Sequence, residues 1–188
     1  MSRPALSLGV FPAALLALSL GGCGAPSQPL PMVITPAEAL QVRGWVPEAL
    51  QGQVVVAPVR GGADTGRWWG SLVSAGVFQH ALEESLHAVG MRALSRDPAP
   101  RFELQAHLVL LDQTRVPAAG VTTGTAVQYT LTDNAAGRVI YQRRIYNQEE
   151  AGLGDALGSP SERLRIANER ALRANIGLVL RDLVTLRP

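Results

Sequence analysis

This 188-residue chain has one cysteine and three histidines, the side chains best suited to nucleophilic or metal chemistry. His80, Glu84 and His87 fall at steps of four and three, so on a helix they share one stripe and could hold a metal weakly. The same spacing describes an ordinary solvated face, and no fourth ligand accompanies the three, so no metal ligand is assigned. His107 falls among the polar residues of an alternating stretch, where a surface hydrogen bond accounts for it. Ser71, His80 and Asp64 are near one another in sequence, but no Gly-x-Ser-x-Gly elbow presents a nucleophile and their spacing is no better than chance. No catalytic residue is assigned either. Gly152-Leu-Gly-Asp-Ala-Leu-Gly158 has the glycine density of a dinucleotide loop, yet the next helix signal comes after Gly158 and not inside the run. No strand-helix-strand unit is expected around it, and no cofactor is expected.

Two features are better suited to contact than to catalysis. Arg67, Trp68 and Trp69 stand together in the glycine-rich stretch Gly61 to Gly70. Two adjacent tryptophans cannot both face the core of one regular element, so at least one ring is expected near the surface, where it suits a protein groove, a sugar face or a lipid headgroup. The alternative is that the pair folds back to cap the end of a sheet. The stretch Gln113 to Gly124, with Val116, Pro117 and Val121, is a second and weaker contact loop.

The second feature is Cys23 itself. Met1 to Pro4 carries one charge, Arg3, and an uncharged Leu- and Ala-rich run follows from Ala5 to Leu20. That run is shorter than the ~20 apolar residues a stable span needs, and it contains Pro12, so residues 1–22 read as a signal peptide. Its end, Leu20-Gly21-Gly22-Cys23, resembles the lipobox of bacterial lipoproteins. Small side chains ahead of the cysteine let an extended backbone enter a peptidase cleft, while the thiol accepts a diacylglyceryl group. The resemblance implies cleavage before Cys23 and attachment by acyl chains, each contributing ~0.8 kcal/mol per buried methylene. It further implies the outer membrane, periplasmic face, because Gly24 stands where inner-membrane retention uses Asp.

The remaining elements bound the fold. Apolar residues make up 47% and charged residues 17%, enough for a core, and every one of the 17 basic residues is Arg against 15 acidic ones. A net charge of +2 spread along the chain gives no field that would hold a polyanion, so nucleic acid is not an expected partner. Residues 23–53 read as the lipidated cysteine, a proline-rich tether through Pro36 and irregular structure with a short helical turn at Pro36 to Leu40. Residues 54–188 read as one periplasmic domain. Val54 to Val59 is a β-branched run, and the apolar period of three and four from Ser71 to Val89 predicts a helix stopped by Gly90. Phe102 to Leu110 and Thr125 to Thr132 alternate as strands, and Arg138 to Tyr146 follows across the turn Asp133 to Gly137. Ser159, Pro160 and Glu162 signal the start of a helix to about Leu186, its charges mostly solvated. The order β-α-β-β-β-α predicts an α+β two-layer sandwich: a mainly antiparallel sheet of about four strands with two helices on one face and the other face open for work.

The pattern Val59-Arg-Gly-Gly62, Trp69-x-Ser71, Phe78-x-x-Ala81-Leu82-x-x-Ser85-Leu86, Val127-x-Tyr129, Arg163-Leu-Arg-x-Ala167-Asn168-Glu169 and Asn175-Ile176 is similar to a poorly characterised family of small Gram-negative outer-membrane lipoproteins. Some similar chains carry an acyltransferase label, but this one lacks the hexapeptide repeats of the β-helix acyltransferases. The element order more distantly resembles TolB amino-terminal, curli-secretion and lipopolysaccharide-assembly lipoprotein domains, which act by binding partners. The resemblance implies a non-enzymatic binding or assembly module of the cell envelope, attached to the membrane by lipid and working on an envelope protein. The runner-up is an envelope hydrolase or acyltransferase, or an auxiliary component of a transport system. No signal of oligomeric state is present.

Overall fold

The computed structural model describes residues 26–61, 73–95, 99–116, 120–157 and 159–188. Its frame is one mixed sheet: β1 (Val54–Val56), β2 (Arg60–Gly61), β3 (Phe102–Val116), β4 (Gly120–Asp133) and β5 (Arg138–Gly152). The order is β1-β3-β4-β5, with β2 following β1 along the same edge of β3 and a one-residue parallel bridge joining Arg92 to Val54. The helices are α1 (Pro36–Arg43), α2 (Ala75–Ala88) and α3 (Pro160–Leu183). The α+β class is as expected, but the sheet has more than four strands and is not antiparallel throughout. β3, β4 and β5 form an antiparallel meander, whereas β1 and β2 run parallel to β3. The cause is α2, which carries the chain back along the sheet so that β3 starts from the same end as β1. A strand-helix-strand unit therefore exists after all, although the Gly152 to Gly158 run lies outside it, at the end of β5.

One face of the sheet is covered. Phe102, Leu104, Val127, Tyr129, Leu131 and Ile145 project from it onto Phe78, Leu82 and Leu86 of α2 and Leu172, Ile176, Val179 and Leu183 of α3. The period-two alternation of β3 puts its aliphatic residues here and leaves Glu103, Gln105 and His107 on the open face. The meander strands run longer than their alternation suggested. Gln113–Val116 extends β3 and Gly120–Gly124 opens β4, so most of the expected contact loop Gln113 to Gly124 is paired strand. Its β-branched Thr and Val content suits extended backbone. Ala151 and Val121 in that extension pack on Leu164 and Ala167, the amino-terminal half of α3.

The segment ahead of β1 is built into the domain. Leu30–Met32 makes a 3-10 turn, and Met32 and Ile34 enter the core. α1 is two full turns because Thr35 and Glu38 form a reciprocal capping box: the Glu38 N–H donates to Thr35 Oγ1 at 3.3 Å and the Thr35 N–H to Glu38 Oε2 at 2.7 Å. α3 begins as its sequence signal required, with the Glu162 N–H donating to Ser159 Oγ at 3.3 Å. Its charges are not all solvated, however. Arg163 and Glu169 are buried, and Glu169 is held by Arg165.

Between α3 and the sheet runs a buried polar seam. Tyr129 Oη donates to Asn175 Oδ1 at 3.0 Å, and Asn175 Nδ2 donates to the Ile145 carbonyl at 3.1 Å and to Asn147 Oδ1 at 2.7 Å. Asn147 Nδ2 in turn donates to the Ala171 carbonyl at 2.9 Å, and Thr123 Oγ1 to Asn168 Oδ1 at 3.0 Å. Buried polar groups are costly unless paired, so this network admits one axial position of α3 on the sheet. Burial raises the Tyr129 hydroxyl well above its ordinary pKa and keeps it a donor. Tyr129, Asn168 and Asn175 belong to the pattern on which the lipoprotein resemblance rests, and here they fasten a helix to a sheet.

Candidate functional site

Leu20, Gly21, Gly22 and Cys23 lie outside the described residues, as do Arg67, Trp68 and Trp69. What the structure places is the frame from which those segments depart. The chain enters the tryptophan segment from Arg60–Gly61, paired with His107 and Leu108 at the middle of β3. Gly61 has φ +83°, and a Cβ there would stand 2.2 Å from the Leu108 carbonyl oxygen, so only glycine fits this exit. The chain leaves the segment at Val73, fully buried, and Ser74 caps α2 by accepting the Val77 N–H at 3.3 Å. Both ends of residues 62–72 are thus pinned, one to the sheet and one to the core.

Beside the Gly61 exit, the open sheet face forms a depression of about 430 Å³ lined by Ala57, Pro58, Arg60, Glu103, Gln105, His107, Gln128 and Thr130. Gln105 Nε2 donates to Glu103 Oε1 at 2.9 Å. Glu103 and His107 are four residues apart on one strand, about 13 Å, which is beyond hydrogen-bond reach. The lining offers a guanidinium, a carboxylate, an imidazole and amides spread over a surface, an arrangement that can hydrogen-bond a peptide or a sugar.

The other histidines are elsewhere. His80 and His87 are exposed on α2, which packs against the opposite face of the sheet from His107. Glu84, the third member of the helical stripe, is occupied by Arg92, whose NH1 lies 2.9 Å from Glu84 Oε1 and whose NH2 lies 3.0 Å from Glu83 Oε2. Among the described residues no three potential ligands converge. The glycine run after β5 is organised by Asp155, which accepts the Gly152 N–H at 2.9 Å and pairs with Arg170 of α3. Those two bonds hold its carboxylate below the ordinary range, the Arg170 bond contributing most.

A second concavity was not apparent in the sequence. A groove of about 670 Å³ lies between the 3-10 turn, α1 and α2, lined by Leu30, Val33, Ile34, Leu40 and Ala88, with Arg43, His87 and Arg173 among its polar members. The sequence signal that would have located it is Thr35-Pro36-Ala37-Glu38, a capping box with proline at the first helical position. The groove wall is stapled to α3. The Gln28 N–H donates to Glu169 Oε1 at 2.8 Å, and Arg173 Nε donates to the Pro31 carbonyl at 2.7 Å. From α2, Ser85 Oγ accepts the Ile34 N–H at 3.2 Å.

This architecture recurs in solved structures. A candidate lipoprotein of Caulobacter crescentus superposes over 78% of this chain and 96% of its own, with a TM-score of 0.51 at 14% identity. A Xanthomonas campestris protein of domain family DUF330 covers 74% of this chain and 90% of its own, at TM-score 0.52 and 14% identity. A hypothetical protein of Chlamydia trachomatis covers 71% and 98%, at 0.50 and 13%. At such identities the likeness is one of fold. No family model and no curated protein matches the sequence. Among the described residues no helix is long and apolar enough to cross a membrane.

Proposed function

We propose that this chain is a cell-envelope lipoprotein, anchored through lipidated Cys23 at the periplasmic face of the outer membrane, whose domain acts by binding a partner and not by catalysis. The observation that carries the reading is the junction at the amino terminus. Leu20-Gly21-Gly22-Cys23 ends only five positions before Gln28, which is already bonded to α3. The fold it shares with a Caulobacter candidate lipoprotein and a DUF330 protein supports the same reading. Confinement to one leaflet raises the effective concentration of any partner there, so a tethered domain is useful without chemistry of its own. The contact surface is assigned to Arg67, Trp68 and Trp69 with the depression at their root. Tryptophan supplies large contact area with little rotamer entropy to lose.

Metabolic labelling with a radiolabelled fatty acid, followed by membrane fractionation, tests the anchor. The intact chain should carry the label and sediment with outer membranes, and Cys23→Ala should lose both properties. Unchanged fractionation of Cys23→Ala would contradict the reading. Gly24→Asp should move the labelled protein to the inner membrane.

A further inference from the structure

We infer that the groove between α1 and α2 is the face on which the anchored domain lies against a phospholipid bilayer, with Leu40 and Trp45 entering the interface. This rests on the anchor reading above. Gln28 is five positions after Cys23, a reach of at most ~18 Å, and Leu30 stands two residues further, at most ~7 Å on. Gln28 and Pro31 are bonded to Glu169 and Arg173, so little slack lies beyond that reach and the domain cannot turn this side far from the membrane. The side so constrained exposes large apolar residues. Leu30, Leu40 and Trp45 are 75%, 74% and 75% accessible within one short segment. Leu40 and Arg43 are three apart on α1 and share a face, and Trp45 follows two residues later. Aliphatic residues with a tryptophan and arginines are the composition that settles at a headgroup boundary.

Arg43 and Arg173 line the groove, and Glu84, its carboxylate, is paired with Arg92, which Glu83 shares. Exposed Arg43, one turn from Leu40, can meet a headgroup phosphate, an attraction that for one arginine near an anionic membrane corresponds to about a fivefold change in partitioning.

The test uses the full-length lipidated protein, purified after processing and reconstituted into vesicles of phosphatidylethanolamine and phosphatidylglycerol. Because the one native thiol is consumed by lipid, a nitroxide can be placed at Leu40→Cys, Trp45→Cys or, on the exposed far side of β5, Arg144→Cys. All three sites are exposed, so the labels should not disturb folding. The expected result is that oxygen relaxes the labels at 40 and 45 several-fold more effectively than a water-soluble nickel complex does, with the order reversed at 144. Water-like values at 40 and 45, in protein that stays on the vesicles by its acyl chains, would overturn the inference and leave the anchor reading standing. Dipolar broadening at 40 with low oxygen accessibility would mean that a second copy covers the groove, and would also overturn it. Mature protein lacking acyl groups by mass spectrometry would remove both the anchor and this inference.

Discussion

The groove between α1 and α2 is lined by aliphatic side chains and arginine, whereas the depression on the uncovered sheet face is lined by Glu103, Gln105, His107 and Gln128. The first adjoins the segment leading back to Cys23; the second adjoins the exit at Gly61 toward Trp68 and Trp69. The sheet and its helices stand between them. An anchored domain that must rest on one surface and present another needs this separation, and it needs the two surfaces to keep a fixed relation. The polar seam along α3 supplies that rigidity, because the helix carrying the Glu169 and Arg173 staples is keyed to β4 and β5 through Tyr129, Asn175 and Asn147.

Breaking the key should have the largest effect on both surfaces at once. Asn175→Ala leaves the buried Tyr129 hydroxyl without its partner and takes one bond each from Asn147 and the Ile145 carbonyl, and should cost about 3 kcal/mol in urea denaturation. Gly61→Ala should come next. It forces a side chain into a positive-φ site and against the Leu108 carbonyl, at about 2 kcal/mol, and it should displace the tryptophan segment while leaving membrane attachment unchanged. Trp68→Ala tests the proposed contact surface: crosslinking affinity in envelopes should fall about thirtyfold with the melting temperature unchanged. A drop in stability of ~3 to 5 kcal/mol would instead make the ring part of the core.

Much of the frame was readable before the structure. Ser159-Pro160-x-Glu162 places the start of α3, Asp133 to Gly137 marks the hairpin, and the alternation from Phe102 assigns the two faces of β3 as far as Leu108, beyond which a register shift interrupts it and puts Leu111 on the covered face. These are local signals, carried by side chains that bond or pack within a few residues. The parallel pairing of β1 and β2 carries no such signal, since it follows from where α2 delivers the chain. The seam was hidden for a related reason: Thr123, Asn168 and Asn175 are neutral to local propensity, and their role appears only when residues about fifty positions apart meet. Only the first turn of α1 is legible, at Pro36 to Leu40, because its capping box, Thr35 to Glu38, straddles the end of the proline-rich stretch that reads as tether.

A smaller effect sharpens the account of the hairpin that sets the strand register. Asp133 accepts the Ala135 and Ala136 N–H groups at 3.0 and 3.2 Å and is paired with Arg101 at 2.7 Å. The Arg101 hydrogen bond contributes most to holding its carboxyl below the ordinary pKa. A depressed folded pKa stabilises above the unfolded value and stops doing so as pH falls through the folded one. The urea midpoint of the wild-type protein should therefore exceed that of Asp133→Asn at neutral pH, and the gap should close on acidification below the ordinary carboxylate range. Smallest of all, Leu40→Asp should change stability by no more than ~0.5 kcal/mol, since the side chain is exposed, while it weakens contact of the groove with lipid.

The most direct measurement of the division between a membrane side and a partner side is a photocrosslinker introduced at Leu40 or at His107 in the full-length protein, activated in intact cells. Phospholipid adducts from Leu40 and protein adducts from His107 are the predicted outcome. Protein adducts from Leu40, with none from His107, would contradict the account.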